Sequence, residues 1–193
     1  KLRQMIMDRK QETFRREIPS NPEEYRREGL SPMERMTRRL CAALKAQTPV
    51  VFPEERIAYW RTTKNIPDAF TAEELAEQGK TNVWGVGNVC PDYATTIRLG
   101  LNEQKRRILA RMETADEKQR EFLSCVLRSV EAVTSLAKRY REEALRVGNQ
   151  TVADTLAKVP EQGAQTFLEA LQFFRILHFA LWCEGEMHNC IGR

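Results

Sequence analysis

Cys183, Glu184, Glu186, His188 and Cys190 crowd thiol, carboxylate and imidazole groups into eight residues. A Cys-x4-His-x-Cys spacing could supply three zinc ligands. No paired Cys-x-x-Cys accompanies it, however, and Cys183 falls on an apolar helical stretch. A polar turn at a helix end is therefore expected, with no metal in the chain. Cys190 and His188 also pair a thiol with an imidazole, but a nucleophile and its base ordinarily converge from distant sequence. His178, on the preceding helix, is expected to be a hydrogen-bonded core histidine.

A second candidate is "GVGNVCPDY", residues 85–93. Its glycines precede a helix, where backbone amides can bind anions. It lacks the Lys-Ser/Thr of a P-loop, and the third glycine and preceding strand of a dinucleotide fold. Helix initiation accounts for most of it. Gly85 and Gly87 permit left-handed turns, Asn88 tolerates them, Pro91 takes the first helical position and Asp92 suits the positive helix end. The apolar Val89-Cys90 pair suggests that the loop packs inward. A buried helix start carrying Asn88 and Asp92 is a place to hold a polar substrate, so both readings stay open.

The elements that must position these groups are mostly helical. Leu2 to Ile18 reads as an exposed helix, and "PSNPEEYRREGLSP" as a linker. Ser31, Pro32 and Glu34 form a helix start of capping-box type; Met33, Met36, Leu40, Ala43 and Leu44 share one face to about Gln47. Short extended segments are expected near Val50–Phe52 and Ile57–Thr62. Thr71 caps a helix from Ala72 to Gln78 that Gly79 ends. From Pro91 one helix is expected to reach Met112, burying Ile97, Leu101, Ile108, Leu109 and Met112. Thr114 or Asp116 starts another, to about Val147, with Phe122, Val126, Val130, Val133, Ala137, Tyr140 and Ala144 as its stripe and Arg128, Lys138, Arg141 and Glu142 on its polar face. A short helix covers Thr151 to Lys158. The last, "TFLEALQFFRILHFALWCEGEM", is apolar nearly all round and must be surrounded by protein. Its interruptions at Glu169, Gln172, Arg175 and His178 exclude a membrane span. So few other helices could not enclose it, which suggests that the chain is part of a larger fold.

Composition bounds the function. The 193 residues include 41% hydrophobic and 30% charged, with a net charge of +4, enough for one domain with a core. Basic runs such as "TRR" and "QKRR" alternate with Glu and read as solvated helix faces, not a nucleic-acid stripe. Five cysteines without framework spacing fit buried, reduced thiols in a cytoplasmic protein. No secretory signal is visible.

Three stretches carry a resemblance. "GNVCPDYATTIRLGL" resembles the Gly-Asn/His, two residues, Pro-Asp-Tyr segment of the glycyl radical enzymes, the family of pyruvate formate-lyase and its dehydratase relatives. "VPEQGAQTFLEALQFFRILHFALWCEGEMHNCIGR" is similar to its next hallmark, which closes on Gly192-Arg193, a structural turn. "SPMERMTRRLCAALKAQTPVVFPEERIAY" is similar to the amino-terminal segment of lyase-like members. The resemblance implies a mainly α, strand-poor fragment of a ten-stranded α/β barrel enzyme about four times longer. Residues 1–193 would be the amino-terminal part of that domain, with 1–30 a peripheral helix and linker and 31–193 a helical wall and first barrel elements.

The same resemblance implies a glycyl radical in another part of the enzyme and a thiyl radical that cleaves a C–C, C–O, C–N or C–S bond of a small polar substrate. It implies a radical S-adenosylmethionine activating enzyme as partner, a homodimer when complete, oxygen-sensitive chemistry in the cytoplasm, and neither membrane nor nucleic acid. Neither family loop, the cysteine loop or the glycyl loop, matches any stretch here, so no catalytic residue is expected in this fragment, which alone should be inactive. The substrate-binding candidates are Asn88, Cys90, Asp92 and Tyr93. Asn88 matches a position that is histidine or aspartate in several dehydratases and lies in a stretch contributing an arginine in pyruvate formate-lyase. An amide orients a polar group but neither gives nor takes a proton at neutral pH. The rival reading is a non-enzymatic helical module that binds an acidic partner or RNA.

Overall fold

The computed structural model describes residues 4, 7, 8, 21–58, 68–79 and 90–184. Among the described residues from 21 onward, the helices are α1 (Pro22–Arg27), α2 (Pro32–Ala46), α3 (Ala72–Glu77), α4 (Tyr93–Leu99), α5 (Leu101–Met112), α6 (Glu117–Arg146), α7 (Gln150–Leu156) and α8 (Phe167–Glu184). No strand occurs among the described residues, as a mainly α reading requires. The expected helix over Leu2–Ile18 lies almost wholly outside them.

Side-chain caps set most helix starts. Asn21, Ser31, Thr71, Asp92, Asp116 and Asn149 each accept a hydrogen bond from a first-turn backbone N–H, which satisfies a donor the helix leaves orphaned. α3 closes the capping box, with Glu74 returning to the Thr71 backbone. The box expected at Ser31 is half made, because the Glu34 carboxylate turns to Arg128 and Arg38 instead. α8 starts the same way as α3: Glu169 N–H donates to Thr166 Oγ1 at 3.2 Å, and the Gln165 and Thr166 amides donate to Glu169 Oε2 at 2.7 and 3.1 Å. Lys158 adds an ion pair to Glu169 at 2.8 Å.

α6, 30 residues long, is the spine, extending about 45 Å. α2 runs beside it in the same direction. Ser31 meets Glu121 at 2.5 Å near the start, and Arg139 donates to the Leu44, Lys45 and Gln47 carbonyls at 2.5, 3.2 and 2.7 Å near the end. α5 and α7 flank α6, and α8 lies against α2, α4, α6 and α7. Leu44, Leu136, Tyr140, Val152, Phe173, Ile176 and Phe179, each at most 1% exposed, fill the space between them.

Several expectations change. The "linker" contains α1, because Asn21 caps it and Pro22 sits in its first turn, where the missing N–H costs nothing. Val50–Phe52 forms no strand; the Phe52 and Glu55 carbonyls receive Asn149 Nδ2 at 2.8 Å each, so side-chain amide bonds replace a ladder. Residues 59–67 lie outside the described set. The single helix from Pro91 to Met112 is two helices, and Pro91 precedes the Asp92 cap instead of following it. Leu109 and Phe122 are 53% and 51% exposed rather than core: Phe122 turns away from the α2 seam that begins at Glu121. Arg39 of the "TRR" run, read as a solvated face, is 5% exposed, and Arg35 one turn before it is 6% exposed, while Arg106 and Arg107 are solvated and paired with Glu103, as expected.

Gly100 makes the break between α4 and α5. Its φ of +83° is a left-handed value that glycine tolerates. A Cβ there would lie 2.5 Å from the Gln162 carbonyl carbon, and one at Gly163 would strike the Arg98 carbonyl. With both side chains absent, main chain meets main chain: Leu101 N–H donates to Pro160 O at 2.8 Å, Asn102 N–H to Glu161 O at 3.0 Å, and Ala164 N–H to Ile97 O at 2.9 Å. This clasp ties α4 to the turn that leads into α8.

Candidate functional site

The start of α4 opens on a pocket of about 280 Å³ between three helices. Pro91, Asp92, Tyr93 and Thr96 form one wall, Leu40 of α2 another, and Leu177, Ala180 and Leu181 of α8 the third. The clasp at Gly100 and Gly163 fixes the angle between the first and third walls.

Asp92 is solvent-exposed and its role is local. Its Oδ1 accepts from Thr95 N–H at 3.0 Å, and its carbonyl accepts from Thr96 Oγ1 at 2.9 Å. The Thr95 backbone donor lowers the Asp92 pKa below the ordinary carboxylate range, so the group is an anion at neutral pH. Tyr93 is 5% exposed. Its ring meets the Phe174 edge at 4.8 Å and 63°, a geometry that adds about 0.5–1.5 kcal/mol to its burial. Phe174 in turn lies 5.7 Å from the His178 ring, so an aromatic row links the pocket to the outer side of α8.

Two of the four candidates, Asp92 and Tyr93, therefore share the pocket. Cys90 is an exposed thiol next to it, so the cysteine of the Val89-Cys90 pair does not pack inward as expected, and Val89 lies outside the described residues. Asn88, Gly85, Gly87, Gly192 and Arg193 lie outside the described residues. So do Glu186, His188 and Cys190, with the Glu184 side chain, while Cys183 is buried at 0% exposure. No metal-ligand group of three occurs among the described residues, and none of their helices is long and apolar enough to cross a membrane. The other described cysteines are thiols, with Cys125 buried and Cys41 half-buried.

His178 is half-buried, with its Nδ1 3.5 Å from Arg175 Nη1. Burial first, and the guanidinium second, push its pKa down, so the ring is neutral at physiological pH. The pocket's remaining walls were not singled out as a site from sequence. Leu40, Leu177 and Leu181 show there only as apolar positions, and their convergence is a tertiary fact.

No curated protein sequence matches the chain. Among solved structures, the glycerol-bound form of the B12-independent glycerol dehydratase from Clostridium butyricum superposes with a TM-score of 0.67 at 20% identity, over 84% of this chain and 31% of that one. A structure of 1,2-propanediol dehydration in Roseburia inulinivorans gives 0.64 at 21% identity, over 84% and 29%. The chain thus spans about three-tenths of the length of these structures and shares their fold over that part. The pyruvate formate lyase-like family model matches residues 23–193, which takes in the Pro-Asp-Tyr turn, the pocket and the whole of α8: the chain belongs to the pyruvate formate lyase-like family.

Proposed function

We propose that this chain forms the amino-terminal helical wall of a glycyl radical lyase or dehydratase acting on a small polar substrate. The observation that carries the reading is the family match over residues 23–193, in which the Pro91-Asp92-Tyr93 turn borders a pocket. Residues 31–193 would build the wall and the first barrel elements, and residues 1–30 a peripheral helix and linker. The radical itself supplies hydrogen abstraction and belongs to a loop with no counterpart in this sequence. What this chain contributes is placement. Asp92 holds the helix start by its cap, Tyr93 locks that start onto α8 through Phe174, and Asn88, four residues before Asp92, presents an amide to the substrate's polar group. Glycerol and 1,2-propanediol, named with the two similar structures, are small polar molecules of the kind expected, and they favour C–O cleavage among the four expected bond types.

The rival reading, a module for RNA or an acidic partner, finds little support. Several basic residues of α2, α5 and α6 meet carboxylates: Arg35 with Glu74, Arg38 with Glu28 and Glu34, Arg106 and Arg107 with Glu103, Arg128 with Glu34, Arg146 with Glu143. Pairing of this kind neutralises part of the cationic face that phosphate binding would use among the described residues.

The test uses the complete enzyme that contains this chain. Anaerobic incubation with its radical S-adenosylmethionine activating enzyme should produce the doublet electron paramagnetic resonance signal of a glycyl radical. Asn88→Ala should leave that signal intact and abolish turnover. Absence of the radical overturns the reading, and unchanged kinetics in Asn88→Ala removes the substrate role of Asn88.

A further inference from the structure

The pocket at the start of α4 has a volume of about 280 Å³, roughly twice the ~150 Å³ cavity that holds one benzene. Its walls are mostly carbon. Leu40, Leu177, Ala180 and Leu181 supply aliphatic side chains, Pro91 its ring, and Tyr93 a buried aromatic side chain. The two remaining lining residues spend hydrogen bonds inside α4. Thr96 Oγ1 donates to the Asp92 carbonyl at 2.9 Å, and Asp92 Oδ1 accepts the Thr95 N–H at 3.0 Å. Asp92 is also solvent-exposed, so its charge stays in water.

These walls stand in place without a ligand. The Tyr93 ring packs on the Phe174 edge at 4.8 Å. The main-chain bonds around Gly100 and Gly163 hold α4 against the turn into α8. A preformed pocket spares much of the ordering cost of binding. A hydroxyl placed among Leu40, Leu177, Ala180 and Leu181 would exchange water for carbon, which is unfavourable, whereas a methylene placed there leaves water at a gain.

Building on the dehydratase reading above, we infer that this pocket is a hydrocarbon subsite, which selects a substrate with an apolar tail attached to its polar end. Among diols, the enzyme takes a 1,2-alkanediol with an alkyl tail in preference to glycerol, whose third hydroxyl would have to enter the same walls. Leu40, Leu177, Ala180 and Leu181 are then the residues that set this specificity.

The test measures equilibrium binding to the complete, radical-free enzyme by titration calorimetry, with glycerol and the 1,2-alkanediols from propanediol to hexanediol. Affinity should rise about fourfold per added methylene, the ~0.8 kcal/mol transfer free energy of a buried CH₂, and glycerol should bind more weakly than 1,2-propanediol. Ala180→Phe fills the pocket from α8 and Thr96→Phe fills it from α4. Each, checked for native helix content, should flatten the series. A hexanediol analogue ending in a diazirine locates the tail without any substitution: on irradiation it should label Leu40 or the 177–181 stretch of α8. A flat series in the native enzyme overturns the subsite, as does a gain that survives in both variants or a label that lands elsewhere. Binding here needs no radical, so failure of the radical chemistry would leave the series unaffected, and a flat series in an enzyme that still forms its radical would strike the subsite alone.

Discussion

The seam between α2 and α6 and the flank of α8 handle charge in opposite ways. In the seam, Glu34 receives Arg128 and Arg38, and the Cys125 thiol donates to its Oε2 at 3.4 Å; Arg139 closes the end of α2. On α8, Phe173, Ile176 and Phe179 bury one side completely, while Phe174, Leu177 and Leu181 are half-buried, Phe167 is 78% exposed and Arg175 meets no carboxylate. The seam is finished by contacts within the chain. The flank of α8 keeps apolar area and a cation that the described residues do not match, which is how a surface made to meet something else should differ from one made to hold itself together.

The contrast can be broken most severely inside α8. Phe173→Ala removes a ring that is 0% exposed and should cost about 3–5 kcal/mol, by cavity and transfer terms together, read in urea unfolding. Arg128→Met strands a mostly buried Glu34 carboxylate that keeps Arg38 as partner. It should cost about 2 kcal/mol, less than a fully buried pair because the Arg128 side chain is 42% exposed. Acid provides a finer probe of the same pair. Arg128 holds the Glu34 pKa down from 4.5 to about 2, so its contribution is complete above the unfolded value and disappears as pH falls towards 2. The stability difference between the native chain and Glu34→Gln should be about 1–2 kcal/mol near neutrality, after screening through Arg128, and should be mostly lost by pH 2. A difference that grew on acidification would contradict the pairing. Arg175→Met, by contrast, should be neutral or slightly stabilising, because it removes a desolvated charge without orphaning a partner. Phe167→Ser should change stability by under about 0.5 kcal/mol. If Arg175→Met proved as damaging as Arg128→Met, the two regions would not differ as described.

How much of this was legible follows from the range of each interaction. Ser31, Thr71 and Asp116 announce their helices because a cap and its N–H lie three residues apart. Pro22 misleads, since Asn-Pro marks both a turn and a capped start. Gly100 is hidden by apolar residues at helical spacing on both sides of it, and only the turn at 160–164 explains why a glycine stands there. The burial of Arg35 depends on Glu74, and that of Glu34 on Arg128, partners 39 and 94 residues away, so neither could be inferred from local pattern. At the site, Asp92 was readable as a helix-start residue, and the turn as a place of interest. The pocket's other walls, from α2 and α8, come together only in the fold. The apolar character of α8 was plain in its sequence; which side faces the core was not, because a helix greasy all round has no preferred side.

The glycine pair at 100 and 163 has an evolutionary corollary. Since backbone amides and carbonyls do the fastening there, the scaffold beneath the pocket is indifferent to what projects from it. Descendants of this sequence could trade residues at 96, 177 or 180 to suit a different molecule while inheriting the frame unchanged, whereas losing either glycine would unseat the frame itself.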